Sequence, residues 1–455
     1  MRKLKSSFRD PDGFLFRQNG ELLRQVNKSY EADYEMLVSS GLLEKLFNEQ
    51  LLIHHEERSP SAASDAIKIL KPELVPFVSY PYEWSFSQLK DAALLTLKIQ
   101  KKSLQHGMTL KDASAFNVQF LRGKPIFIDT LSFTILEEGK PWSAYRQFAE
   151  HFLAPLALMS YVDLRLNQLQ RTNIDGIPLE IAVKLLPRRS RMNIGLFTHL
   201  HLHAFFKSNN SQATEKKNTK GAFSKNSFIG LVESLESTVI KLKPNKRRTE
   251  WDSYYDETNY SPEAMKAKES FVEEALKKVT GLKSVWDLGA NNGYFSRIAA
   301  RYGYTISFDI DPRCVQENYK QTREEGEENL LPLLLDLRNP SPGLGWNNEE
   351  RLSLNERGPA DVILALALVH HLTIANNLPL GMLAESLSVL CKHLIIEFIP
   401  KEDSQVQKLL STRKDIFSNY TEEVFEEEFS ARFEVQEKLN IPSSERVLYL
   451  MKVAT

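Results

Sequence analysis

Asp287, Gly289, Asn291 and Gly293 carry the clearest chemistry in the chain, within the run Ser284-Val285-Trp286-Asp287-Leu288-Gly289-Ala290-Asn291-Asn292-Gly293-Tyr294-Phe295-Ser296. Two glycines at that spacing let the backbone take positive φ and approach a ligand closely. The acid two residues before Gly289 disfavours a pyrophosphate and favours a cationic ligand. The elements that must position this corner are a short buried strand before it and the first turn of a helix after it. A polar cofactor then sits at the C-terminal end of the strand, where open α/β sheets bind ligands and helix N–H groups are free.

More acids follow at the ends of apolar runs. Tyr304 to Pro312 is a second strand ending in Asp309 and Asp311, at the distance where such folds hold a ribose with a carboxylate. Leu333-Leu334-Leu335-Asp336 is a third strand with an acid at its end. Asp361 to Leu372 is a fourth, and it contains Leu366 and the pair His370-His371. His393 to Phe398 is a fifth, and Val447 to Val453 a late one.

D-x-G-x-x-x-G followed by these strand ends resembles the class I S-adenosylmethionine (SAM)-dependent methyltransferases, over about Trp251 to Thr455. The resemblance implies an α/β, Rossmann-like domain with a seven-stranded, mostly parallel sheet, and SAM as cofactor. Asp287, Gly289, Asn291, Gly293, Asp309, Asp336 and Leu366 are then the cofactor-binding residues, with Asp309 on the ribose hydroxyls and Asp336 on the adenine amino group. Transfer from a sulfonium is an in-line displacement, so the protein must bind, orient and exclude water. His371, with His370 beside it, is the expected proton acceptor at the end of the fourth strand. The expected acceptor is a small molecule or a carrier-borne group methylated on O, N or C. No N-P-P-Y-like motif follows the strand, which disfavours an exocyclic base amine or a glutamine amide. Glu397 and the loop Pro400 to Asp403 are further candidates for the acceptor pocket.

The length of 455 residues predicts two or three domains. A formal charge of -1 gives no global pull toward nucleic acid or an acidic membrane. Cys314 and Cys391 have neither metal nor C-x-x-C spacing and suit a reducing compartment. No long apolar run or signal segment is visible, so the expectation is a cytoplasmic protein with no membrane span. The polar stretch 208–227 reads as a flexible linker. It separates an α+β N-terminal domain, 1–207, from the methyltransferase domain, 228–455. Residues 228–280 form its helical and aromatic lid, in which Trp251, Tyr254, Tyr255 and Tyr260 can face a sulfonium.

The N-terminal part opens with a hairpin signal at Asn19-Gly20 between two β-prone runs. Helical spacing is seen over Tyr34 to Phe47, a short strand is expected at Leu51 to Ile53, and a long helix at Phe86 to His106. Asp112, Asn117 five residues later, two strands and then Asp129 resemble the catalytic loop and metal-binding Asp of protein-kinase-like phosphotransferases. The resemblance makes Asp112 the base, Asn117 and Asp129 the magnesium ligands, and Lys68 of Ala66-Ile67-Lys68 the phosphate lysine. The chain departs from that pattern in having Leu110 two before Asp112, Thr130-Leu131 after Asp129, and no glycine-rich phosphate loop. An ordinary hairpin with a capping Asp fits the same residues. His199, His201 and His203 share a face if the segment is a strand, a metal-compatible spacing, though no carboxylate or Cys partner accompanies them. A kinase-like phosphotransferase fused to a methyltransferase and a non-enzymatic SAM-binding scaffold, recruiting a partner protein through the N-terminal domain, are the alternatives.

Overall fold

The computed structural model describes residues 2–60, 65–205, 224–245, 260–411 and 414–454. They fall into two compact units, Met1–Arg247 with Gly343–Arg351, and Arg248–Pro342 with Leu352–Thr455. Among the described residues no helix is long and apolar enough to cross a membrane.

The N-terminal unit is α+β. Its antiparallel sheet has the order β1 (Arg2–Lys3), β2 (Gly13–Gln18), β3 (Glu21–Asn27), β5 (Ala66–Pro72), β4 (His55–Arg58). Asn19 and Gly20 close the β2–β3 hairpin with φ of 51° and 80°, the mirror-image turn whose twist matches the strands. The long helix Phe86–Gln105 starts at a reciprocal cap between Ser85 and Gln88. Two ribbons come after it: β6 (Met108–Leu110) with β9 (Phe133–Ile135), and β7 (Val118–Leu121) with β8 (Lys124–Phe127).

Three expectations need correction here. Leu51 to Ile53 is not a strand but a single bridge, Leu52 to Phe127. His199 and His201 lie in the helical stretch Phe197–Leu202, so an alternating strand face never forms. The expected boundary at 208–227 also moves. Residues 206–223 lie outside the described residues, and Ser224 caps a helix, Lys225–Lys241, that belongs to the first unit. Phe228, Val232, Leu235 and Val239 make up its buried face, Phe228 sits 6.4 Å from the ring of Trp142, and Lys101 pairs with Glu236 at 2.7 Å. An amphipathic helix goes where its apolar stripe is covered, and here the covering elements are N-terminal.

The C-terminal unit is a seven-stranded sheet flanked by helices, as the methyltransferase resemblance implied. The order is β12 (Leu330–Leu334), β11 (Tyr304–Asp309), β10 (Ser284–Leu288), β13 (Ala360–Ala365), β14 (Cys391–Phe398), β16 (Val447–Val453), β15 (Phe433–Asn440). The first five run parallel, and β16 is antiparallel to both its neighbours. Central strands of such a sheet are buried on both faces and read as continuous apolar runs, which is the character of Val285 to Leu288 and Val362 to Ala365. Pro332 is compatible with β12 because that strand is at the edge. The core packs the helix Pro262–Lys278, through Phe271, Val272, Ala275 and Leu276, against Val285, Val362, Leu364 and Ile395. Chain order reverses across β10, with β11 on one side and β13 on the other, and this opens a crevice beyond the carboxyl ends of the strands.

Candidate cofactor and acceptor site

The crevice is a cavity of about 520 Å³, within the range of small-molecule sites. Asp287, Gly289, Asn291, Asp309, Asp336 and Leu366 all line it, and so does His371. Gly289 has φ of 75°, and a Cβ there would come within 3.2 Å of Leu368. Gly293 has a different task. It does not line the cavity, and at φ of 83° it lets the helix start press against Asn318, whose amide would lie 2.5 Å from a Cβ.

Asp309 organises the corner. One of its oxygens accepts from the Asn291 backbone N–H at 2.7 Å and the other from that of Asp311 at 2.8 Å. Asp287 accepts from Ser296 Oγ at 2.6 Å. Burial pushes Asp287 up to about 7 and Asp309 up to about 6, because a charged carboxylate is costly away from water. A cationic ligand that brings its own donors relieves that cost, so the residues present fit SAM. Asp336 is oriented by Arg338, whose Nε and Nη2 reach its two oxygens at 2.9 and 3.0 Å.

The rings of His370 and His371 lie with centroids 4.0 Å apart, tilted by 40°, but only His371 faces the cavity. His370 is buried behind it. Burial, reinforced by the charge of Arg446, pulls His371 down to about 4, so its imidazole is neutral at physiological pH. Among the described residues no cluster of His, Cys, Asp or Glu is arranged to hold a metal.

The chain is 35% identical over 457 residues to the nodulation protein NoeA of Rhizobium meliloti (strain 1021), an alignment covering 98% of this chain and 95% of that one. It belongs to the NoeA family. No protein-family model matches the chain. Among solved structures, the N-methyltransferase NodS from Bradyrhizobium japonicum WM9 aligns at 10% identity over 43% of this chain and 99% of its own, with a TM-score of 0.31. Magnesium protoporphyrin IX methyltransferase (ChlM) from Synechocystis PCC 6803 aligns at 15% over 45% and 93%, with a TM-score of 0.32. In this NoeA-family chain the strand order of the C-terminal unit is that of the class I methyltransferase fold.

Sequence reasoning missed Lys268. This residue of the helix Pro262–Lys278 lines the cavity, is 2% exposed, and donates to Glu397 Oε2 at 2.7 Å and to Tyr260 Oη at 2.9 Å. Nothing in the pattern Met265-Lys266-Ala267-Lys268-Glu269 separates it from a solvated lysine. Glu397, expected to line the acceptor pocket, is fully buried behind its wall. It accepts from Tyr260 Oη at 2.5 Å and from the Ala367 backbone N–H at 2.8 Å. Burial alone would raise its carboxyl, but Lys268 and Arg446 hold it below the usual range. Ala367 lines the cavity with φ of 52°, a conformation a non-glycine residue keeps only when its surroundings hold it, and the Glu397 bond is one such restraint. In the expected loop, Asp403 pairs with the buried Arg446 at 2.8 Å. Of the aromatic lid, Trp251, Tyr254 and Tyr255 lie outside the described residues, and Tyr260 is in the cavity wall.

The kinase-like resemblance gains no support from the relatives. Asp112, Asn117 and Asp129 are brought together, but as a closed network. Asp112 accepts from the Ser114 N–H at 2.9 Å and from Gln147 Nε2 at 2.9 Å, and Asn117 donates to Ser132 Oγ at 3.2 Å. Asp129 is bridged by Arg24 at 2.5 Å and receives bonds from Ser132 and from the Leu131 N–H. A guanidinium stands where magnesium was expected. Lys68 is on β5 and pairs with Glu57 of the adjacent strand at 2.6 Å. Two of the three histidines are hydrogen-bonded within the fold, His199 to Tyr145 Oη and Ser234 Oγ and His201 to Ser190 Oγ, while His203 stacks on Tyr145 with centroids 5.4 Å apart.

Proposed function

We propose that the C-terminal unit is a SAM-dependent methyltransferase acting on a small-molecule or carrier-borne acceptor. The observation that supports this best is the cavity whose wall joins the glycine corner, Asp287, Asp309 and Asp336 to the post-strand loop carrying Leu366 and His371. SAM supplies a methyl group already activated by a positive sulfur. Asp309 would hold the ribose hydroxyls, Asp336 the adenine amino group, and Asp287 the charge at the glycine corner. The apolar walls, Leu366, Leu368, Leu372 and Met265, exclude water. His371, neutral and facing the cavity, would take the proton that the acceptor loses as its O, N or C bonds the methyl carbon. From the relative's designation as a nodulation protein we extend to this chain a role in nodulation. Calorimetric titration of the purified chain with SAM tests the reading: saturable one-to-one binding is expected, and no heat at millimolar SAM would overturn it.

A further inference from the structure

The chain as a whole is near neutral, yet residues 181–197 contain Lys184, Arg188, Arg189 and Arg191 and not one acid. The same segment exposes large apolar side chains. Met192 is 85% and Ile194 83% exposed, and Ile181, Leu185 and Phe197 are each close to half exposed. Single exposed apolar residues are ordinary on a protein surface, but here five fall within seventeen residues of chain, interleaved with four cations.

These side chains are displayed by a pinned backbone. Ile181, Lys184 and Leu185 share one face of the helix Leu179–Leu185, whose other face buries Leu179 and Ala182. Ser190, fully buried, ties the next turn to Pro187 O and His201 Nε2, each at 2.8 Å. Asn193 caps Ile194–Leu196 through the Leu196 N–H at 3.1 Å, and the buried Leu196 and Leu200 anchor the helical stretch beyond the cap. Gly195 lies so close to Thr238 that a Cβ would fall 1.9 Å from its hydroxyl. Met192 and Ile194 therefore project because the chain around them is fixed.

We propose that this face docks the protein on an anionic lipid bilayer, with the arginines at the headgroups and Met192, Ile194 and Leu185 entering the acyl boundary. Cations rimming protruding aliphatic and aromatic side chains are the composition of surfaces that lie on membranes without spanning them. A second copy of the chain is a poor occupant, since self-pairing would set four cations against four. Nucleic acid would engage the arginines and leave Met192 and Ile194 in water.

The test is sedimentation of the full chain with vesicles of phosphatidylcholine alone and of phosphatidylcholine mixed with phosphatidylglycerol. Binding is expected to the mixed vesicles only, and to fall as salt rises. Arg188→Ser with Arg191→Ser is expected to weaken it on the order of tenfold or more, and Met192→Ser with Ile194→Ser by a similar factor. All four positions are exposed, so unchanged melting curves will show that the variants fold. Equal recovery with both vesicle types, or binding that ignores Met192→Ser with Ile194→Ser, would overturn the proposal. So would a dimer in solution that those two substitutions dissolve.

Discussion

Asp112 and Asp129 in the N-terminal unit and Asp287 and Asp309 in the C-terminal unit are sequestered acids near strand ends, but their carboxylates meet different neighbours. Arg24 bridges Asp129 and Asp10, at 2.5 and 3.0 Å, and main-chain and side-chain donors fill the rest of that network. Among the described residues no guanidinium lies on Asp287 or Asp309 at the glycine corner. Asp287 and Asp309 accept only neutral donors and open onto a cavity. The difference teaches how to tell a structural cluster from a ligand site. Burial raises Asp112 as well as Asp287 and Asp309, so the distinction lies in the counter-charge: in the first cluster Arg24 of the chain supplies it, and in the second we propose that a cation from outside does.

Buried ion pairs offer the largest perturbation of this contrast. Lys268 and Glu397 are 3% and 0% exposed in their side chains, against 14% and 16% for Arg24 and Asp129. Removing one partner of a fully buried pair strands the other, so Lys268→Met is expected to cost the C-terminal unit about 3–5 kcal/mol in chemical denaturation. Arg24→Met, with more solvent at hand, should cost the N-terminal unit about 1–2 kcal/mol. Equal costs would mean that the two networks differ less than their burial says.

SAM affinity separates the two sets of acids. Asp309→Ala removes a carboxylate expected to make two charge-assisted bonds, and a loss of SAM affinity on the order of a hundredfold should follow in calorimetry. Asp309→Asn keeps one oxygen for either the Asn291 or the Asp311 N–H and sets an amide NH2 against the other, so its melting curve is needed beside its affinity to separate loss of the ligand from loss of the turn. Asp129→Ala should leave SAM affinity unchanged while lowering the melting temperature. If Asp129→Ala instead weakened SAM, or abolished a magnesium-dependent binding of ATP, the closed-network reading of the N-terminal acids would be wrong.

Much of the C-terminal unit was legible because its signals are local. Buried parallel strands print apolar runs, and the glycine turn and strand-end acids fall within one or two residues of the strand ends that open onto the cavity. The sheet's outer edge was less visible: β15, Phe433–Asn440, is mostly solvent-facing, and its Glu and Lys content masks a strand. Lys268 could not be found at all, since its burial depends on Glu397, 129 residues away. In the N-terminal unit the order of Asp112, Asn117 and Asp129 did predict their proximity. What it could not predict was Arg24, a β3 residue over a hundred positions from Asp129, which decides what that proximity is for. Local pattern gives the arrangement of acids, and only packing gives their counter-ions.

The smallest effect is on pH, and it has a definite sign. Burial raises Asp287 to about 7 and Asp309 to about 6, so both are partly protonated in the ligand-free protein below neutrality. For acids with a folded pKa above the unfolded one, the contribution to stability is full below the unfolded value of about 4 and is lost as pH rises through the folded values. These two groups should therefore make the ligand-free C-terminal unit less stable at pH 8 than at pH 5. A cation bound beside them favours the ionised forms, so SAM binding should release protons and tighten as pH rises. The gain between about pH 5.5 and pH 8 is expected to be at least severalfold. Calorimetry in two buffers of different ionisation enthalpy measures the released protons directly. Asp287→Asn should flatten the part of the curve near neutrality and leave the part governed by Asp309. A chain that binds SAM with no proton release at pH 6 would show that the corner holds its carboxylates charged without the ligand, and the contrast with the Arg24-bridged cluster would then rest on the cavity alone.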